Sequence, residues 1–223
     1  MRRIRILLIL GAIAAVGCSS PRVEEESAGR AGRDTRASVP QGPAPAPLRR
    51  SQLTLGDRTD WRSVLNWPND CEEAFQASHV GDDAGLVFNE LSPGISFVEV
   101  LCAAGAYQPS FVYVRLDERS TAPIATVLIF PVYESSDGVS IESAKASEIW
   151  GEPFVSPARR ELTILNLARQ TGDCGIWTRY NIGGDLPEMV DARRAPCATR
   201  PGAPATSSNG EPPRGWQPVN ARQ

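Results

Sequence analysis

The sequence holds a single histidine, His79, among 223 residues. A histidine-based triad or a multi-histidine metal site therefore has almost no material. No GxSxG, HExxH, P-loop or dinucleotide fingerprint occurs, which removes the hydrolases, metalloproteases and nucleotide enzymes that carry those motifs. The five cysteines include no pair at CxxC spacing, so redox and zinc motifs of that form are missing too. Asp82-Asp83 sits in a Gly81–Gly85 turn without the spacing of an EF-hand loop, which reads as a solvated turn. The apolar run from Ile6 to Val16 is too short to span a bilayer as a helix. We therefore expect no catalytic residues, no cofactor and no metal.

What is present at the N-terminus is an export signal. Arg2, Arg3 and Arg5 precede the apolar run, and Ala15-Val16-Gly17-Cys18 follows it. This end resembles the lipobox of bacterial lipoproteins, with Ala15 where Leu is usual. The resemblance implies cleavage after residue 17 and a diacylglycerol on the Cys18 thiol. Each buried methylene contributes about 0.8 kcal/mol, so several acyl chains would make the anchor essentially permanent. Ser19 follows the cysteine where Asp would favour inner-membrane retention, so the outer membrane is expected over the inner, facing the periplasm. Loss of residues 1–17 removes three of the 23 basic residues and none of the 26 acidic ones, leaving a net charge of about −6. That sign argues against nucleic acid as a partner.

Residues 18–51 read as a lipid-anchored tether, rich in Arg, Glu, Ala, Gly and Pro and nearly devoid of large apolar side chains. As a flexible coil its ends would lie roughly 30 Å apart, with an extended limit of about 110 Å. A β-rich, disulfide-bonded domain is expected over 52–200, and a flexible tail over 201–223 in which Trp216 is either a docking anchor or exposed. Four cysteines remain for the domain, Cys71, Cys102, Cys174 and Cys197, and an even number in an oxidising compartment points to two disulfides with three connectivities open.

Within the domain, Trp61 and Trp67 supply early apolar anchors, and Asp70-Cys71-Glu72-Glu73 has the form of a capping box that starts a short helix. Ile95 to Ala103, Phe111 to Leu116 and Ala125 to Val132 read as strands, with Pro131 marking an edge or a terminus. Ser135-Ser136-Asp137-Gly138 is a turn, Ile141 to Ile149 is either a brief helix or irregular, and Trp150 to Phe154 is a packed loop. Leu162 and Ile164 fall on one face and Leu165 and Leu167 on the other, which means a bulge or a strand buried on both sides. Ile176–Ile182 and Glu188–Arg194 flank Gly183-Gly184-Asp185 as a hairpin, with Cys174 and Cys197 nearly symmetric about the turn. Set by those cysteines, Ile182 faces Met189 and Tyr180 faces Asp191, one bulge shifting this by a residue. Ile176, Thr178, Tyr180 and Ile182 are expected inward. The fold class is thus mainly β, an antiparallel sheet or sandwich closed by two disulfides, with one or two short helices.

Several of these stretches resemble one family of bacterial envelope proteins, domain of unknown function 1176. They are Cys71 with Phe75, Val100-Leu101-Cys102-Ala103-Ala104-Gly105-Ala106-Tyr107, Glu148-Ile149-Trp150-Gly151-Glu152-Pro153-Phe154, and Gly172-Asp173-Cys174-Gly175 with Trp177 and Cys197. The similarity runs from about Cys71 to the Trp216–Pro218 tail. The chain departs from the family at Ala103, where an aromatic residue is usual, and in the length of Ala198 to Gly215. The resemblance implies the pairing Cys71–Cys102 and Cys174–Cys197, and it implies docking of Trp216. It carries no activity.

A rigid domain on a long tether suits capture of an envelope protein or of peptidoglycan, as a non-catalytic binding or inhibitor-type module. Tyr107, Gly172 and Asp173, in Gly-containing segments, are the candidate partner-binding residues. The alternatives are a structural envelope component and a carboxylate-based hydrolase acting on an envelope polymer, the latter resting on the acidic pairs Glu72/Glu73, Asp82/Asp83 and Asp117/Glu118. An exposed aromatic patch beside one of those loops favours binding, and a carboxylate pair in a cleft favours the hydrolase.

Overall fold

Asp57 caps a helix: its carboxylate accepts from the backbone N–H groups of Thr59 and Asp60, two of the donors that a helix start leaves bare. The helices α1 (Arg58–Leu65) and α2 (Asn69–Ser78) follow. The computed structural model describes residues 57–134, 141–198, 202–207 and 209–219. The export signal, Cys18, the tether, the expected domain start near Gln52, the Ser135–Gly138 turn and the boundary at 200/201 lie outside the described residues.

The sequence reading took Trp61 only as an anchor, yet α1 forms around it. Trp61 and Leu65, four residues apart on one face, are both fully buried. The second helix begins earlier than the capping box at Asp70, with Pro68 at the cap position and no side-chain cap. Glu72, in the first turn, serves a different contact. It accepts from Arg58 Nε at 2.8 Å and from Trp67 Nε1 at 3.0 Å. The Arg58 guanidinium lies 3.7 Å from the Phe75 ring centroid and 4.8 Å from that of Trp67, and it donates to the Ala84 and Leu101 carbonyls.

The first sheet runs β1 (Leu86–Ser92), β2 (Ile95–Ala103), β3 (Ser110–Asp117) and β4 (Ile124–Val127), all antiparallel. A short strand β7 (Glu148–Trp150) shares the outer edge of β3 with β4, pairing at Ser110–Val112. Period-two alternation splits the central strands between two cores. Val98, Val100, Cys102, Val112, Val114 and Leu116 face the helices and pack on Trp61, Leu65, Trp67 and Cys71. Phe97 and Tyr113 point the other way, into a core shared with the second sheet. The Cys71–Cys102 disulfide ties α2 to β2 inside the first core.

The second sheet has the order β12 (Gln217–Pro218), β11 (Glu188–Ala195), β10 (Gly175–Asn181), β9 (Glu161–Leu167), β8 (Glu152–Ser156), again antiparallel. Between the sheets' strands in sequence lies a two-stranded ribbon, β5 (Phe130–Glu134) with β6 (Glu142–Ala146). The chain is therefore β-rich and antiparallel, as the alternation in the sequence implied, with two short helices among the described residues and the two disulfides expected from four cysteines.

Several details differ from the sequence reading. Ala125–Val132 is not one strand: it leaves the first sheet after Leu128, whose N–H still bonds Tyr113 O on β3 at 2.9 Å, and pairs again in the ribbon from Phe130. Pro131 is tolerated there because both ribbon strands are edges. Ile141–Ile149 forms strands, not a helix, and Trp150–Phe154 spans β7 and β8 with Trp150 and Phe154 exposed, not packed in a loop. β9 is buried on both sides with no bulge against β10. The hairpin register is also shifted: Tyr180 faces Met189 and Arg179 faces Asp191. The ladder slips by a residue at Val190 and ends at Ala195, just before Pro196, which has no N–H to donate. Cys197 thus lies past the ladder, so its bond to Cys174 does not mark the register.

Thr178, Tyr180 and Ile182 are buried, the last two in the shared core, while Ile176 is half-buried. Trp177 is equally buried on the opposite face, where Leu165 and Trp216 cover it. The C-terminal residues 202–207 and 209–219 run as a strap along that outer face. Gln217 and Pro218 pair with Arg194 and Arg193, and Val219 N bonds Ala192 O.

The rings of Phe97, Tyr113, Phe130 and Tyr180 touch in series at 5.1, 5.3 and 5.0 Å, joining first sheet, ribbon and second sheet. Phe130→Ala should lower stability by about 3–5 kcal/mol in urea titration, and Tyr180→Phe, which loses the hydroxyl donation to Pro131 O, by about 1 kcal/mol. Burial pushes the Tyr180 hydroxyl up to about 12. The tyrosine of the unfolded chain ionises near pH 10, so the Tyr180 contribution is constant below about pH 10 and falls as pH rises from there toward 12. Tyr180→Phe should flatten that fall, with buried Tyr113, shifted the same way, keeping part of it.

Candidate functional site

Asn166, Ile176 and Arg194 occupy one cross-strand row on the inner face of β9, β10 and β11. Rows nearer the hairpin turn carry Ile164 with Thr178 and Leu162 with Tyr180, all buried. The core ends before the first row is reached: Asn166 is exposed and Ile176 only half-buried. The ribbon overhangs this row with Tyr133 and Glu134, leaving a cavity of about 300 Å³ whose far wall is Arg194, Pro196 and Cys197. A narrow extension of about 30 Å³ shares Tyr133, Asn166 and Ile176 with it and reaches Trp150. Gly175, in the floor, is obligatory: its φ is +153°, and a Cβ there would lie 2.1 Å from the Asn166 carbonyl oxygen.

The loop bearing Tyr107 is fastened to the same groove. Gly105 makes its tight bend, with φ +59° and room for a Cβ only 1.9 Å from Gln108 O. Gln108 is buried and bridges to β9: its Nε2 donates to Asn166 Oδ1 at 3.2 Å, and its Oε1 accepts from Leu167 N at 2.9 Å. Tyr107 itself is 48% exposed and Trp150 46% exposed. Their backbones adjoin, since Gly151 N bonds Pro109 O at 2.9 Å and Trp150 pairs with Ser110. Trp150 lines the extension, and half-exposed Tyr107 lies one residue from Gln108, which bonds the lining residue Asn166.

Gly172 and Asp173 line neither the cavity nor its extension. Gly172 is buried, and its carbonyl accepts from Ala205 N at 2.6 Å. The Asp173 side chain is 4% exposed. It accepts from Arg169 Nε at 2.8 Å, the Thr171 hydroxyl at 2.6 Å and Gly202 N at 2.9 Å. The Arg169 guanidinium, then Thr171 and the Gly202 amide, hold its carboxyl well below the usual carboxylate range. These two residues clamp the strap; Tyr107 lines neither space either, and is linked to the groove through its neighbour Gln108. Sequence reasoning missed Tyr133, Asn166 and Trp150. The available signal for Trp150 was its alternation with buried Ile149, which reads as strand and not as loop.

The carboxylates do not gather. Glu72 is held by Arg58 and Trp67, and Asp83 accepts from Gly85 N. Asp117 is lowered to about 2 by its hydrogen bonds from the Arg119 side chain and backbone. Burial raises Glu99, but it is hydrogen-bonded to Asn89 between strands and does not line the groove. His79, at the end of α2, stacks on Phe75. Among the described residues no group of three or more His, Cys, Asp or Glu could hold a metal ion, and no helix is long and apolar enough to cross a membrane.

Asp173→Ala should raise amide exchange at Gly202 and Ala205 by about tenfold or more at pH 7 while the ladder of β9 to β11 stays protected. Because the folded carboxyl is depressed, the clamp is complete above about pH 4 and weakens only as pH falls below it. Protection at Gly202 in the parent chain should follow that pH course.

Comparison with known proteins found no family model, no curated protein and no solved structure that matches the chain.

Proposed function

We propose that the chain is a lipid-anchored, non-catalytic binding module of the bacterial envelope, held on the outer membrane through Cys18 and facing the periplasm. It captures a segment of an envelope protein on the rim formed by Tyr107 and Trp150, with the groove behind them taking the inserted side chains. The observation that carries this reading is half-exposed Trp150 in the lining of the extension, with half-exposed Tyr107 next in sequence to Gln108, which is fastened to the groove residue Asn166. Aromatic side chains held rigid at low entropic cost are the usual anchors of protein contacts. Supporting it further, among the described residues the groove lining offers one carboxylate, Glu134, where hydrolysis by paired carboxylates calls for two. The two disulfides suit an oxidising compartment, and the resemblance to domain of unknown function 1176 agrees with an envelope location. The net negative charge disfavours nucleic acid.

The test is in-cell photocrosslinking of the full lipoprotein, with a photoreactive phenylalanine in place of Tyr107 or Trp150 and, as control, of Val80, which is 95% exposed. The binding reading expects one dominant protein adduct from both rim positions and none from the control. Substitution at these exposed sites should change stability by no more than about 0.5 kcal/mol, so loss of the adduct in Trp150→Ala reports contact and not unfolding. A diffuse set of adducts, equal at all three positions, would replace the reading with a structural envelope component.

A further inference from the structure

The two disulfides differ in access. Cys71 and Cys102 are both buried in the first core, at 1% and 0% exposure. Cys174 is also buried, at 0%, but its partner Cys197 is exposed and forms part of the groove wall. Displacement at a disulfide needs a thiolate to reach one sulfur while the other leaves, so only a bridge with an exposed sulfur reacts in the folded state. The position of this bridge gives the reaction a consequence. Cys174 directly follows Asp173, and Cys197 directly precedes the segment that leads into the strap. Asp173 holds Gly202 N, and Gly172 holds Ala205 N. The bridge therefore fastens the strap's first anchor from both sides.

The geometry points to Cys197 as a thiol-exchange site, at which a dithiol reductant opens the bridge and frees the start of the C-terminal strap from the second sheet. The attacking thiolate forms a bond to Cys197 Sγ, and the Cys174 sulfur leaves as a thiolate and takes a proton. The reductant's second thiol then displaces the mixed disulfide, releasing Cys197 as a thiol. The reductant is oxidised to its disulfide, and two electrons and two protons have passed to Cys174 and Cys197. The β10–β11 ladder, which closes at Ala195, needs no bridge to persist. The anchors at Gly202 and Ala205 loosen, and so does the groove wall at Pro196–Cys197, so the redox state of this bridge sets the shape of the groove.

The experiment treats the full chain, under native conditions, with a thioredoxin-type CxxC protein. Timed alkylation and peptide mapping follow the cysteines. Labelling of Cys174 and Cys197 should precede that of Cys71 and Cys102 by at least about tenfold in rate, because the buried bridge opens only with its core. A reductant whose resolving cysteine is replaced by serine should be trapped on Cys197. Amide exchange at 202–205 should rise in the selectively reduced chain while β9 and β10 stay protected. The Cys174→Ser/Cys197→Ser variant should match that pattern, and the parent chain decides the matter by itself if the variant does not fold. Simultaneous labelling of all four cysteines, or a trapped adduct on Cys174, would overturn the site. Unchanged exchange at 202–205 after selective reduction would overturn the release of the strap.

Discussion

The series of ring contacts from Phe97 through Tyr113 and Phe130 to Tyr180 sets the spacing on which the rest of the domain depends. Two sheets that pack face to face need side chains of matching reach from both inner faces. Here a third element contributes, since Phe130 comes from the ribbon and is enclosed by the other rings. The Tyr180 hydroxyl donates to Pro131 O and so fixes the ribbon's height over the second sheet. The ribbon then extends beyond the core as far as Tyr133 and Glu134, and the space beneath that overhang is the groove. The site follows from the core directly.

The outer faces are closed by different means. On the first sheet two short helices suffice because Arg58 concentrates many contacts in one buried place: two ring faces, one carboxylate and two carbonyls from three parts of the chain. Helices of eight and ten residues would be marginal alone. The Cys71–Cys102 bridge adds roughly 3–4 kcal/mol by restricting the unfolded chain. On the second sheet Trp177 and Leu165 would face water without the strap, so Trp216 and the clamp at Asp173 are part of the fold and not an appendage.

The sequence was informative where one periodicity spoke alone. Alternation placed β2, β3, β9 and β10, and the split of Leu162 and Ile164 from Leu165 and Leu167 narrowed β9 to a bulge or a strand buried on both faces, of which the structure shows the second. It was uninformative where two constraints met. The Ala125–Val132 run looked continuous because apolar composition does not show that the chain passes from the first sheet to the ribbon between Leu128 and Phe130. Cysteine symmetry misplaced the hairpin register because disulfide geometry tolerates a partner one residue beyond the position directly opposite. At the site, Tyr107 was recognisable as an aromatic in a Gly-bounded loop. Asn166 and Tyr133 were not, since polar and aromatic residues on strands become a groove only through the register of three strands and the overhang of a fourth. Gly172 and Asp173 drew attention for their composition, and the structure gives them a clamp.

On this account the rim at Trp150 and Tyr107 is the working surface, and the remaining tryptophans serve the cores. The most direct measurement is oxidative footprinting of tryptophan in the purified chain and in intact cells. The account predicts that Trp150 is oxidised readily in the purified chain and protected in cells, while buried Trp61 and Trp177 stay unreactive in both. Equal oxidation of Trp150 in the two settings would contradict it, because a surface that captures a partner cannot remain as open in the envelope as in buffer.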